Sequence, residues 1–342
     1  MNEAVRPPAT LQNVADAAGV HRSTASRALN PDTAHLVADE VVERIRAHAR
    51  RLGYRRDAMA AGLRTKRSRL VGVVVPDIAN PVFGPILSAI EIALRANGFS
   101  ALVVNAGADP QEQIGIVESL VGRRVEGLVL ATARQDDPVV TYCLAAGVPT
   151  VLVNRAEADR RASAVVSDDV LGLRLAVQHL IDLGHRRISH LAGPPHLSTG
   201  ALRRRGYEEA MRIAGLEREI LVEAAAAYTR PAGRAAAESL LDRGGVTAIA
   251  AANDLLALGA YEALAARGLA CPQDVSIVGH NDMPLVDMVA PPLTTIRIGL
   301  KQMGDETARL LLEQMRGRPE TVTRIVEPQL VVRGSTAPPR RG

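Results

Sequence analysis

From Leu70 onward, short runs rich in Val, Ile and Leu alternate with helical patterns of roughly ten to fifteen residues, as βαβ units do. Strands are expected at 70–75, 101–105, 127–131 and 150–153, with helices starting near Phe83, Pro110 and Pro138 between them. A second series has strands at 188–192, 248–251 and 276–279, and helices over 169–183, 199–214, 231–242 and 254–267. Two such series in one chain imply two doubly wound α/β lobes with a cleft between them. Ligands of such sheets bind beyond the carboxyl ends of the strands.

The chain before Leu70 reads differently. Leu11, Val14, Ala15 and Ala18 recur at helical spacing behind a possible N-cap, Thr10. Gly19 supplies the backbone freedom of a tight turn, and a second helix follows from His21 or Arg22. Ala25, Ala28 and Leu29 can pack back on the first helix, which leaves Arg22, Ser23, Ser26 and Arg27 on the outer face. Arginine forks match guanine O6 and N7, and hydroxyls reach phosphates or base edges, so this face suits the DNA major groove. The bland alternative is a solvated helical hairpin. A third helix is expected from Ala38 or Asp39 to Gly53, with Val42, Ile45, Ala49 and Leu52 on its inner side and Arg44, Arg46, Arg50 and Arg51 outside.

Charge supports the polyanion. Of 342 residues, with a net charge of +4, residues 1–69 hold 13 Lys and Arg against 7 Asp and Glu, and the rest hold 28 against 30. The positive charge is therefore concentrated on the candidate DNA-binding segment. No stretch has the unbroken apolar length of a spanning helix, and the first residues lack a signal-peptide core, so a cytoplasmic protein with no membrane partner is expected. Cys143 and Cys271 are far apart, without a partner at metal spacing, and read as buried apolar thiols: no disulfide, metal or cofactor. Neither phosphate-cradling glycine motifs nor nucleophile-elbow or zinc-protease motifs occur, and the eight histidines form no ligand pattern, which argues against an enzyme.

The N-terminal segments Val14 to Val20 and Ser23 to Asn30 resemble the lactose and galactose repressor (LacI/GalR) family of bacterial transcription regulators. The likeness continues through Leu52-Gly-Tyr54, Asn80-Pro-Val-Phe83, Arg124-Val-Glu-Gly-Leu128, the stretch from His179 to Ile188, Ala252-Asn-Asp254 and Pro291-Pro-Leu-Thr-Thr-Ile296. His21 departs from it, standing where the family usually has a capping Ser. The resemblance implies a helix-turn-helix headpiece over 1–56, a hinge helix and linker over 57–69, a two-lobed periplasmic-binding-protein-like domain for effector binding and dimerisation over 70–333, and a flexible tail over 334–342. It implies a homodimer on a near-palindromic operator, with Arg22, Ser23, Thr24, Ser26, Arg27 and Asn30 on DNA and Leu63 as a minor-groove wedge. It implies three crossings between the lobes, near 160–167, 290–299 and 317–327. It also implies a repressor of a carbohydrate-related operon under allosteric control. A transport-system sugar-binding protein would share the lobes, but would carry an export signal and no headpiece.

By the same resemblance Phe83, Asn154, Thr199, Arg203, Tyr228, Asn253 and Asn281 surround the effector. Asn253 can equally cap the helix starting at Asp254. Sugar-binding members commonly set an Asp against the arginine, whereas here Asn154 and Asn281 stand at the matching positions. Arg203 is thus expected to face the ligand without a carboxylate, with Asp282 as the one neighbour able to turn in. A buried unpaired guanidinium is costly, which favours a sugar acid or sugar phosphate as effector over a neutral sugar.

Overall fold

The computed structural model describes residues 9–30, 33–54, 68–317 and 320–340. It divides into two compact units, residues 1–68 and 69–342.

The first unit holds three helices, α1 (Leu11–Ala17), α2 (Arg22–Ala28) and α3 (Asp39–Arg51). Its core is small: Val14, Ala15, Ala25, Ala28, Val42, Ile45 and Ala49 are buried, with Val20, Leu29 and Tyr54 packed on them. Leu52 is a correction. It is 37% exposed, because the helix ends at Arg51 and the chain turns at Gly53 (φ +64°), so Tyr54 reaches the core instead. The hinge at 57–67, with Leu63, lies outside the described residues.

The second unit contains two six-stranded sheets. In the first lobe the strands are β1 (Leu70–Val75), β2 (Ser100–Asn105), β3 (Gly127–Leu130), β4 (Thr150–Val153) and β5 (Ser163–Ser167), alternating with α4 (Phe83–Ala96), α5 (Pro110–Gly122) and α6 (Pro138–Ala145). The second lobe carries α7 (Asp169–Asp182), β6 (Ile188–Ala192), α8 (Ser198–Ile213), β7 (Leu221–Ala224), α9 (Arg230–Asp242), β8 (Ala248–Ala251), α10 (Asp254–Ala266), β9 (Ser276–Asn281) and β10 (Thr294–Arg297). The chain then returns to the first lobe with α11 (Leu300–Met315) and β11 (Thr323–Val326), and ends in the second with β12 (Gln329–Val331).

Strand order is β11-β5-β4-β3-β1-β2 in one sheet and β12-β10-β9-β8-β6-β7 in the other, parallel throughout except for β12 against β10. Each order reverses direction beside its first strand, β1 or β6, the switch point where doubly wound sheets bind ligands. Central strands are buried on both faces, as β3, β4, β6 and β8 are along their whole length, and such strands read as unbroken apolar runs. That explains why the sequence marks them to within a residue. Strands β5, β7, β10, β11 and β12 are less apolar or lie at sheet edges, and they carry no such mark.

The crossings shift accordingly. The chain changes lobe between Ser167 and Asp169, between Arg297 and Leu300, and between Val326 and Gln329. Each crossing falls at the downstream edge of its expected window, the first and third windows also containing β5 and β11, which pair with each other. The tail is also corrected, since it is docked and not loose. Ser335 is fully buried, its hydroxyl accepting from Thr294 N–H at 2.8 Å and donating to Ile277 O at 2.6 Å, and Ala337 N–H reaches Ser276 Oγ at 3.0 Å. Both cysteines are free, but only Cys143 is buried. Cys271 is half-buried, with its thiol toward Ser335 O.

Candidate nucleic-acid interface and effector cleft

In the first unit, Thr10 caps α1 in a reciprocal box. Its hydroxyl accepts from Asn13 N–H (3.3 Å), while Asn13 Oδ1 accepts from Thr10 N–H (2.9 Å). Gly19, at φ +63°, makes the turn that an L side chain would strain. His21 then caps α2 with its imidazole: Nδ1 accepts from Ser23 N–H at 3.3 Å and lies 2.8 Å from the Ser23 hydroxyl. A ring nitrogen does the work of the absent serine.

With Ala25 and Ala28 turned to the core, Arg22, Ser23 and Arg27 are exposed, and Thr24, Ser26 and Asn30 are half-buried along the same helix and its end. Neither Arg22 nor Arg27 forms an ion pair among the described residues, so their donors are available to bases and phosphates.

In the second unit, seven expected effector residues converge on one cavity between the lobes. Phe83 and Asn154 come from the first lobe and Thr199, Arg203, Tyr228, Asn253 and Asn281 from the second. Most sit just past the carboxyl ends of strands: Asn154 after β4, Asn253 after β8, Asn281 at the end of β9, Tyr228 on the connection after β7, and Thr199 in the first turn of α8, which follows β6. Asn154 (φ +66°) and Asn281 (φ +118°) take left-handed backbone there, which Asn tolerates better than most residues. Asn253 does cap α10, its Oδ1 accepting from Leu256 N–H at 2.8 Å.

Tyr228 donates its hydroxyl to Thr199 Oγ1 at 3.2 Å, and its ring lies 6.0 Å from the Arg203 guanidinium carbon. The space these groups enclose is about 20 Å³, room for about one water molecule. A sugar-sized effector enters only when lobes or side chains part.

Arg203 is not without a carboxylate. Its Nε donates to Asp169 Oδ1 at 2.7 Å, both side chains being 3% exposed, and its Nη1 donates to Ala252 O at 2.6 Å. Burial works against the guanidinium charge, but Asp169 outweighs it and holds Arg203 above its ordinary range. Asp282 plays no part, because it is taken by Arg297 (2.7 Å) and Arg333 (2.6 Å). The premise that Arg203 lacks a counter-charge is therefore corrected. Thirty-four residues separate the partners, and no sequence spacing signals the pair.

Besides Val82, two polar lining residues fall outside the expected set, Asn80 and Arg155. Both were discoverable, Asn80 from the Asn-Pro-Val-Phe motif and Arg155 as the neighbour of Asn154. Arg155 is the uncompensated cation. Its Nε is buried without a hydrogen-bond partner, no carboxylate pairs with it among the described residues, and burial brings it down to about 10, with Arg203 and Arg134 pushing the same way against Tyr228. No helix among the described residues is long and apolar enough to cross a membrane.

A small outward-facing recognition helix in one unit and a two-lobed cleft in the other define a ligand-responsive DNA-binding regulator. Comparison with known proteins agrees. Residues 10–57 match bacterial regulatory proteins of the lacI family, and residues 177–336 match the periplasmic binding protein-like domain. The chain is 35% identical over 335 residues to the HTH-type transcriptional regulator CelR of Thermobifida fusca, covering 95% of this chain and 98% of that one. It is 32% identical over 333 residues to the regulator DegA of Bacillus subtilis, covering 96% and 98%. Among solved structures, the lac repressor dimer bound to operator and the anti-inducer ONPF superposes with a TM-score of 0.87 at 29% identity, over 97% of this chain and 100% of that one. A CelR–cellobiose complex gives 0.73 at 34%, over 96% and 100%. The chain belongs to the LacI family of transcriptional regulators, and it is not an enzyme.

Proposed function

We propose that this protein is a cytoplasmic, homodimeric repressor that holds a near-palindromic operator through paired headpieces and responds to a small sugar-like effector bearing an anionic group. The observation that carries it is the convergence of Phe83, Asn154, Thr199, Arg203, Tyr228, Asn253 and Asn281 on one cleft between two lobes. Phe83 and Tyr228 offer apolar faces to a sugar ring, while the three asparagines and Thr199 offer donors and acceptors to hydroxyls. The solved relatives' ligands named above, cellobiose and ONPF, are sugar-like, which supports the class.

The anionic group is assigned to Arg155 in place of Arg203. With Arg203 neutralised by Asp169 and no carboxylate lining the cavity, Arg155 is the charge that a sugar acid or sugar phosphate would complete. Effector binding favours one lobe arrangement over another and so biases how the dimer presents its headpieces. Two exposed apolar side chains in the second lobe, Leu285 (67% exposed), which shares a hollow with half-buried Leu255 and Leu258, and Met288 (77%), support a dimer surface.

Operator selection and anisotropy titration test the reading. Arg22→Ala and Arg27→Ala are expected to weaken specific binding by about 1–3 kcal/mol each, at least one of them relaxing base preference. Unchanged selectivity in both would refute the recognition helix. For the effector, calorimetry with matched neutral and anionic sugars is expected to favour the anion, and Arg155→Gln to lower the anion's affinity for the cleft. Tighter binding of the neutral sugar would sink the assignment.

A further inference from the structure

A second cavity lies against the effector cleft and shares its walls. Its volume is about 570 Å³, within the range of roughly 300–1,000 Å³ usual for small-molecule sites. The two spaces divide single segments of chain between them. Asn154 and Arg155 line the cleft, whereas the next two residues, Ala156 and Glu157, line the second cavity. Thr199 lines the cleft and Ser198 the second cavity. The buried ion pair is the partition, with Arg203 facing the cleft and Asp169 lining the other side. The second cavity also takes in Ser167 of β5 and Ile325 of β11, on two of the strands by which the chain leaves the first lobe.

The charge around it is lopsided in a specific way. Three of its carboxylates are ion-paired, Asp169 with Arg203, Glu209 with Arg205 (2.8 Å) and Glu157 with Arg161, while Asp168 caps α7 by accepting from Leu171 N–H (2.9 Å) and keeps its charge. Arg160 from the first lobe and Arg174 from the second are exposed and form no ion pair among the described residues. On the same walls, Glu157 Oε2 and Ser167 Oγ are buried with no hydrogen-bond partner. Two unpaired guanidiniums among the walls of one cavity ask for a ligand with negative charge, and the polar residues of those walls for hydroxyl groups.

We propose that this cavity is a second ligand site, which takes a small hydroxylated oxyanion, a phosphate ester or a carboxylate of a polyol, held between Arg160 and Arg174. Guanidinium forks bind both oxyanions with paired hydrogen bonds. Because the walls belong to both lobes and to two connecting strands, a ligand here binds one lobe arrangement better than another. By linkage it changes the affinity of the adjoining cleft for its own effector. The site gives the regulator a second metabolic input. It rests on the reading of the protein as an allosteric regulator, but not on which effector fills the cleft.

Calorimetry on the full-length protein at low salt tests this, with glucose 6-phosphate, gluconate and glucose as probes. The expected result is saturable binding of glucose 6-phosphate or gluconate but not glucose, and the anion that binds decides between the two sources. That binding survives Arg155→Gln and weakens by at least about tenfold in the Arg160→Gln/Arg174→Gln double variant. Both arginines are exposed and unpaired, so the double variant is expected to melt at the parent temperature. Absence of saturable binding by either anion, equal binding of glucose, indifference to the double variant, or loss on Arg155→Gln would each overturn the proposal. Operator selectivity of the headpiece variants is a separate readout, so failure here leaves the regulator reading standing.

Discussion

Arg203 and Asp169 meet at 2.7 Å between Nε and Oδ1, each side chain 3% exposed, on the wall of the effector cleft. Removing one member of a buried pair strands the other charge, a loss of about 3–5 kcal/mol. Asp169→Asn is expected to lower the unfolding free energy measured in urea by that order, and the double variant Asp169→Leu/Arg203→Met to lose less than the sum of its singles. Additive losses in denaturation would show that the two side chains act independently.

Gly193 lies where a Cβ would sit 2.2 Å from the Tyr228 hydroxyl. The obstruction is the end of a side chain, so Gly193→Ala is expected to fold while displacing Tyr228 and breaking its bond to Thr199. Effector affinity should fall, with the melting temperature little changed. Gly200→Ala makes the contrast, because its Cβ would meet the Pro194 carbonyl oxygen at 2.1 Å, and backbone cannot step aside. That variant should lose stability first.

His190 is fully buried, its Nδ1 bonded to Ala250 O at 2.7 Å and its ring stacked 5.1 Å from that of Tyr207. Burial pulls its pKa from 6.5 down to about 4. The folded value lies below the unfolded one, so on acidification the unfolded chain takes up its proton first. The stabilisation is complete above about pH 6.5 and is lost as pH falls toward about 4. His190→Asn, which retains a donor for Ala250 O, is expected to show a shallower fall in melting temperature over that window. His280, driven low by burial in the same direction, keeps the slope from vanishing. An unchanged slope would contradict the assignment.

Ser335 stitches the tail to the second lobe through Thr294 and Ile277. Ser335→Ala strands a buried N–H and a carbonyl, at about 1–3 kcal/mol, and deletion of residues 334–342 should cost more. Thermal melts of the two variants, ranked in that order, check the docking. A tail that could be removed without effect would be the loose one expected from its Gly-Ser-Thr-Ala-Pro-Pro composition.

Much of the architecture was legible in the chain. The central strands β1, β3, β4, β6 and β8 announce themselves because burial on both faces demands unbroken apolar runs. Helix starts at Pro110, Pro138 and Asp254 are written in their caps, since Asp109, Asp137 and Asn253 each accept from the first turn. The edge strands β11 and β12 were not legible, because an edge strand is specified by its neighbour's free hydrogen bonds, which lie far away in sequence. The docked tail was missed for the same reason: polar residues that signal a loop also serve as buried hydrogen-bond partners when a sheet offers unpaired groups.

The sequence by itself determined the order of the central strands and main helices and the recognition helix with its outward arginines, because periodicity and caps are local properties, while the seven residues expected at the cleft came from the family resemblance. Only the tertiary structure decided which arginine is neutralised. Arg203 was the expected open charge, yet the fold sets Asp169 against it and leaves Arg155 without a partner. Charge compensation follows distance through space in a low-dielectric interior, and a 2.7 Å contact between residues on two different helices, α7 and α8, has no counterpart in linear spacing.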